Sequence, residues 1–196
     1  MRKFQISSAM VFLLLIVSIG GAAAQTGVSQ LDPLVTTSAR RLAIAQQVAL
    51  SKWDSGAAVE DAPREAQVIL GSVKAGEARG IDSALATKFF KAQIEANKVV
   101  QYSLLADWRR SGSAPAHAHI DLVGVIRPEL DQVQTQLIAE LADTTEMRSS
   151  ANCQVAMADA VGKYLADHRK ETSKLTEIAL DRALSESCAD SPSRKP

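Results

Sequence analysis

Arg41 and Lys52 stand eleven residues apart. That is almost three helical turns, so on one helix they share a face, about 16 Å apart along its axis. Ala45 and Val48 fall on the same face. Two cations flanking small apolar residues on an inward face would hold an anion. On an outward face they would cover apolar neighbours with their stems and keep their charges in water. Residue type and spacing alone favour the outward reading, because Lys and Arg are seldom buried without a partner. The segment DAPRE then brings Asp61, Arg64 and Glu65 together. Both acids suit the first turn of a helix, where negative charge complements the dipole. Arg64 does not, and an anion bound nearby would offset its cost. Further on, Phe90, Gln93, Ile94, Asn97, Gln101 and Leu104 follow at three- and four-residue spacing. Gln93, Asn97 and Gln101 interrupt a stripe that otherwise reads as buried. Buried amides must find partners. They either bond one another and water, or form the wall of a polar pocket facing the cations.

The elements that must carry these residues are helical throughout. Residues 25–33 read as a loose leader ending at Pro33. A first helix runs from Leu34 to about Trp53, with Leu42, Ala45, Ala49 and Trp53 on one face, and Asp54-Ser55-Gly56 stops it. Asp61 caps a second helix with Pro63 in its first turn, ending near Arg79 and Gly80. Asp82 or Ser83 caps a third, which continues to about Arg109, and SGSAPAHA (residues 111–118) is a loop. A fourth helix starts near Ile120, carries Pro128 early and reaches about Met147. Two shorter ones cover Ala151 to His168 and Ser173 to Cys188, before a frayed tail over 191–196. The fold class is all-α, a single-chain bundle of about six helices. No strand pattern or internal repeat interrupts it.

The 196-residue chain opens with Arg2 and Lys3, an apolar run from Met10 to Ile19, and the small residues Ala22-Ala23-Ala24. This is the pattern of a secretory signal over residues 1–24, cleaved before Gln25. The apolar run is short for a membrane span. Basic and acidic residues number 22 each, and no basic stripe appears, which argues against a nucleic-acid partner. Aromatics make up 4%, and the wealth of Ala, Leu, Gln, Glu and Lys favours helix over sheet. Cys153 and Cys188 are the two cysteines. In an exported chain they read as one disulfide, stabilising the fold by roughly 3–4 kcal/mol in the chain-entropy model. They supply too few ligands for zinc without nearby histidines. His117 and His119 lie in the loop and read as solvated, while His168 sits where it can meet the last carbonyls of a helix. No glycine-rich phosphate loop, nucleophile elbow or HExxH motif is present.

Taken in order, RRLAIAQQVALSKW, DAPREAQVIL and KFFKAQIEANKVVQYSLLADW, with DLVGVIRPELDQV after them, follow one pattern of type and spacing. The chain resembles the AroQ-type helical chorismate mutases, specifically their secreted gamma subclass, over residues 35 to 130. The export signal and the cysteine pair in the last two helices fit the same subclass. The resemblance implies residues 25–115 as catalytic helices and 116–190 as helices completing the same domain. It implies conversion of chorismate to prephenate, on the route to phenylalanine and tyrosine, in a periplasmic or secreted enzyme that needs no cofactor and no metal. It also implies a homodimer.

The resemblance further implies a division of roles. Arg41, Arg64 and Arg127 bind the substrate carboxylates. Lys52 and Gln101 meet the ether oxygen, and Asp61 and Glu65 address the ring hydroxyl. Asn97 occupies a small polar position where Ser or Thr is the usual residue. Val48 and Ile94 exclude water. Two other readings are weighed. An isochorismate-pyruvate lyase on the same fold fits less well with the export signal and the C-terminal helices. A non-catalytic exported binding protein leaves the cations and amides on inward stripes unexplained.

Overall fold

The structure, a computed structural model, describes residues 22–189. The expected signal segment up to residue 21 and the expected tail lie outside these residues. The described chain forms seven α-helices and no strand: α1 (Ala22–Ser55), α2 (Ala62–Glu77), α3 (Ser83–Ser111), α4 (Arg127–Asp143), α5 (Thr145–Arg148), α6 (Cys153–Asp167) and α7 (Lys174–Leu184). A π-helical turn, Leu122–Ile126, leads into α4.

Two elements differ from the sequence expectation. Residues 25–33 are no loose leader, because α1 runs straight through them with Pro33 inside it. A proline within a helix removes a hydrogen bond and crowds the preceding turn, at a cost of about 3 kcal/mol. Leu31, Leu34 and Val35 around it are fully buried, each contributing about 1.5–3 kcal/mol. Asp32 pairs with Lys163 of α6 at 2.6 Å. Packing outweighs the proline. The fourth helix, expected from Ile120 to Met147, is three pieces. Pro128 cannot donate a helical bond, and the chain reaches it through the π turn, with the proline left in the first turn of α4. Asp121 nucleates that turn, its Oδ1 accepting from the amides of Val123 (3.1 Å) and Gly124 (2.7 Å). A Cβ at residue 124 would collide with this carboxylate and push it out of its capping position. α4 then ends at Thr144, whose hydroxyl donates back to the Glu140 carbonyl at 2.6 Å, and the single turn α5 follows.

Most remaining boundaries follow the expected caps, although α7 stops at Leu184, short of the expected Cys188. Asp61 accepts from the Arg64 amide at 3.2 Å, and Glu65 accepts from the Asp61 amide at 3.4 Å. Asp82 accepts from the Leu85 amide at 2.9 Å. Gly56 and Gly80, at φ +68° and +77°, end α1 and α2.

α1 is the spine, with α3, α4, α6 and α7 packed along it and α2 seated on α3 and α4. The main core gathers Leu34, Phe89, Phe90, Leu137, Leu141 and Leu180, all fully buried. A smaller cluster joins Ala49, Val59, Leu105 and Trp108 at the far end of α1. There Trp53 meets Trp108 edge to face at 5.9 Å. The Cys153–Cys188 disulfide ties the start of α6 to the chain beyond α7. His117 is exposed, as expected, and also reaches Asp54 at the end of α1 (3.0 Å) and the Pro115 carbonyl (2.8 Å). These two contacts, the carbonyl first, raise its pKa. His168 meets the Tyr164 carbonyl at 2.9 Å, as its place at a helix end implies. Among the described residues no helix is long and apolar enough to cross a membrane.

Candidate active site

Four segments converge on one cleft of about 120 Å³. α1 supplies Arg41, Val48 and Lys52 from a single face. The loop before α2 and the first turn of α2 supply Val59, Asp61, Arg64 and Glu65. α3 supplies Ile94, Asn97, Lys98 and Gln101, and the π turn with α4 supplies Leu122, Arg127, Asp131 and Gln134. Every residue that the resemblance assigned to the substrate site lies on this one cavity. The outward reading of Arg41 is therefore overturned, since it is only 5% exposed.

The charges are unequal. Arg41, Lys52, Arg64, Lys98 and Arg127 face Asp61, Glu65 and Asp131, so cations exceed carboxylates by two. Arg64 holds Asp131 at 2.8 Å, and Arg127 stands 3.6 Å from Asp61. Arg41 is different. Its Nε and Nη1 are buried with no partner at all. Burial lowers its pKa to about 10, with Asp131 opposing and Arg64 adding to the shift, so the group stays cationic at neutral pH. A desolvated guanidinium with two idle donors is costly unless an anion completes it. Lys52 is half-buried. Burial lowers its pKa, and the nearby Asp61 and Glu65 carboxylates oppose that. Its ammonium donates to the Val59 carbonyl at 2.5 Å. Two further N–H groups remain for a ligand.

The three amides on α3 divide. Asn97 donates to the Arg41 carbonyl at 3.3 Å, fixing α1 to α3 beside the guanidinium. Gln101 is buried on the cleft, and its side-chain oxygen has no partner. Gln93 lies away from the cleft and joins three helices, donating to the Ser38 hydroxyl (2.9 Å) and the Ala183 carbonyl (3.1 Å). Of the two uses the stripe left open, Gln93 has the structural one. The sequence reading missed Lys98, Asp131 and Gln134. For the last two a signal was there: Arg127, Leu130, Asp131 and Gln134 follow i, i+3, i+4, i+7 spacing on α4. Among the described residues no group of His, Cys, Asp and Glu could hold a metal ion.

Such a cleft can bind a small molecule with two negative charges and an additional hydrogen-bond acceptor. A family model described as chorismate mutase type II matches residues 32–102. A protein of Mycolicibacterium smegmatis named secreted chorismate mutase is 32% identical over 125 residues, covering 64% of this chain and 68% of the relative. One of the same name from Mycobacterium tuberculosis is 27% identical over 183 residues, covering 93% and 90%. Among solved structures, the chorismate mutase of Burkholderia phymatum superposes with a TM-score of 0.79 at 42% identity, covering 84% of this chain and 99% of that one.

Proposed function

The chain belongs to the type II chorismate mutase family, and from that premise we propose that this cleft is where it converts chorismate to prephenate. The observation that carries the assignment to this cleft is Arg41, a buried cation with two free donors in a cavity whose cations exceed its carboxylates by two. Chorismate carries two carboxylates, a ring hydroxyl and an enolpyruvyl ether, so its charge is opposite in sign to that excess.

The reaction is a pericyclic rearrangement. The ether C–O bond breaks as a C–C bond forms, and no proton, nucleophile or electron transfer is needed. The protein therefore holds the flexible enolpyruvyl arm over the ring, which is catalysis by positioning. It also stabilises negative charge growing on the ether oxygen. Arg41, Arg64 and Arg127 clamp the carboxylates, a task suited to guanidinium forks. Arg64 then exchanges Asp131 for substrate, or shares the two. Lys52 keeps one N–H on Val59 and turns another to the ether oxygen, and Gln101 adds its amide after a half-turn that swaps its oxygen and nitrogen. Asp61 and Glu65 accept from the ring hydroxyl. Val48 and Ile94 form the apolar side. Asn97 lines the same cleft as a substrate-binding residue while its amide holds the Arg41 backbone.

The enzyme is periplasmic or secreted, in keeping with relatives that are named secreted. Cleavage before Gln25 is a proposal that the mass of the exported protein checks. So is a homodimer. A homodimer in which each cleft is complete keeps its activity on dilution below its dissociation constant, with the oligomeric state followed by light scattering. For the reaction itself, purified protein added to chorismate should lower its ultraviolet absorbance, with prephenate as product. Pyruvate release from isochorismate, with chorismate untouched, would refute the assignment.

A further inference from the structure

Lys98 has no role in the mechanism above, yet it lies on the cleft with its side chain 13% exposed. Its ammonium meets three carboxylates from three segments: Glu95 on its own helix at 2.8 Å, Glu65 on α2 at 3.4 Å and Glu60 in the α1–α2 loop at 4.0 Å. Glu60 is largely exposed and Glu95 about half exposed, while Glu65 is mostly shielded and faces the cavity. The other Glu65 oxygen accepts from the Asp61 amide. Both oxygens of the carboxylate are thus pinned, one by backbone and one by Lys98.

We infer that Lys98 is the positioning residue for ring-hydroxyl recognition: it fixes the rotamer of Glu65 so that a remaining lone pair faces the substrate hydroxyl. The inference rests on the proposed role of Glu65. Three features distinguish this from an ordinary surface pair. Lys98 is mostly shielded from water, where an ion pair is screened less. It reaches Glu65 across two helices. And a carboxylate oxygen has two acceptor sites, so the bond to Lys98 orients Glu65 without exhausting it. Glu65 also lines the cleft that must take a dianion, and Lys98 offsets its charge in place. A hydroxyl at the expected ring carbon then finds an aimed acceptor. A substrate lacking it leaves Glu65 pinned and unused, which is how a site built for a hydroxyl discriminates.

The test compares chorismate with deoxychorismate, the analogue that keeps both carboxylates and the ether but lacks the ring hydroxyl. The KM for chorismate and the inhibition constant of the analogue are measured for the wild-type protein, Lys98→Met, Lys98→Arg, Glu65→Gln and the Lys98→Met/Glu65→Gln double variant. Losing a hydrogen bond to a charged group corresponds to about tenfold or more in affinity. Lys98→Met should therefore raise the chorismate KM about tenfold relative to any change in the analogue's constant. Lys98→Arg should restore most of it, and Lys98→Met should add less than twofold once Glu65 is Gln. Equal weakening of both ligands, or full multiplication of effects in the double variant, would overturn the inference, since Lys98 would then act on the carboxylates directly. So would an unchanged KM in Lys98→Met with a raised one in Glu65→Gln. A silent Glu65→Gln removes the hydroxyl role of Glu65 itself, and the inference with it. Should Lys98→Met not fold, Lys98→Gln carries the same comparison.

Discussion

Among the described residues two arginines are buried, Arg41 and Arg148, and they have opposite surroundings. Arg148, 2% exposed beside the disulfide, spends its guanidinium on the fold. Its Nε donates to the Thr144 hydroxyl (3.2 Å), Nη1 to the Ser187 carbonyl (3.1 Å) and Nη2 to the Leu141 carbonyl (2.6 Å). It thereby pins the end of α4 to the chain following α7. Arg41, 5% exposed, has two buried nitrogens with nothing to bond. Burial lowers the pKa of both groups, so desolvation does not tell them apart. What differs is whether the protein supplies the acceptors. Where it does, the arginine holds structure. Where it does not, the acceptors come from a ligand.

The sharpest way to break this contrast is to remove the unsatisfied cation and its neighbour. Lys52→Ala should lower kcat/KM by about 10²–10³, the scale of losing a preorganised donor to developing charge, and Arg41→Met by about 10–10², the scale of losing a hydrogen bond to a charged group. Followed by helical circular dichroism, Arg41→Met should melt within about 1 kcal/mol of the wild type, because two of its nitrogens bond nothing, whereas Lys52→Ala should fold with a loss of about 1–3 kcal/mol from the unpaired Val59 carbonyl. An unfolded Lys52→Ala protein would make Lys52 structural. Arg148→Met should do the reverse. With buried carbonyls of Leu141 and Ser187 left unpaired, denaturant melts should show a loss of about 3 kcal/mol, while kcat of the folded fraction is unchanged.

A finer probe lies at Gln101. A neutral amide keeps a donor at any pH, whereas Glu must be protonated to donate. Wild-type activity should vary little from mildly acidic to neutral pH. Gln101→Glu should be impaired at neutrality and recover as pH falls, so full activity of that variant at neutral pH would disprove the ether-oxygen role. The smallest effect is expected at Glu140, on the structural side of the comparison. It accepts from the Thr37 hydroxyl at 2.6 Å, and its other oxygen is buried without a partner. Burial raises its pKa, with Thr37 opposing. A raised folded-state pKa means the native protein holds this proton more tightly than the unfolded chain. The stabilisation is therefore complete below the unfolded value of 4.5, declines as pH rises through the folded one, and is lost above it. Glu140→Gln should flatten that slope in melts taken between acid and neutral pH.

Much of this was legible along the chain. Apolar spacing, the Asp61 and Asp82 caps, and Gly56 and Gly80 marked the helices because they act within one or two turns. The resemblance of four separated segments named the residues of the cleft before any geometry was known. The places where reading failed share a cause. Pro33 looked like a boundary because its penalty is local, whereas Leu31, Leu34 and Val35 repay it against partners distant in sequence. Gln93, Asn97 and Gln101 share one spacing and one chemistry, yet the first meets Ser38 and Ala183, the second the Arg41 backbone, and the third the cleft. Arg148 drew no notice, since the carbonyls it serves lie up to 39 residues away.

Helix identity, capping and the kinds of chemistry on offer were thus written in the order of residues, because backbone propensity and periodicity are short-range properties. Which buried polar group is satisfied and which is left waiting for a ligand was settled when α1, α2, α3 and α4 packed together. A donor's partners are chosen by the whole fold, and an orphaned guanidinium can be recognised only after every possible acceptor has taken its place.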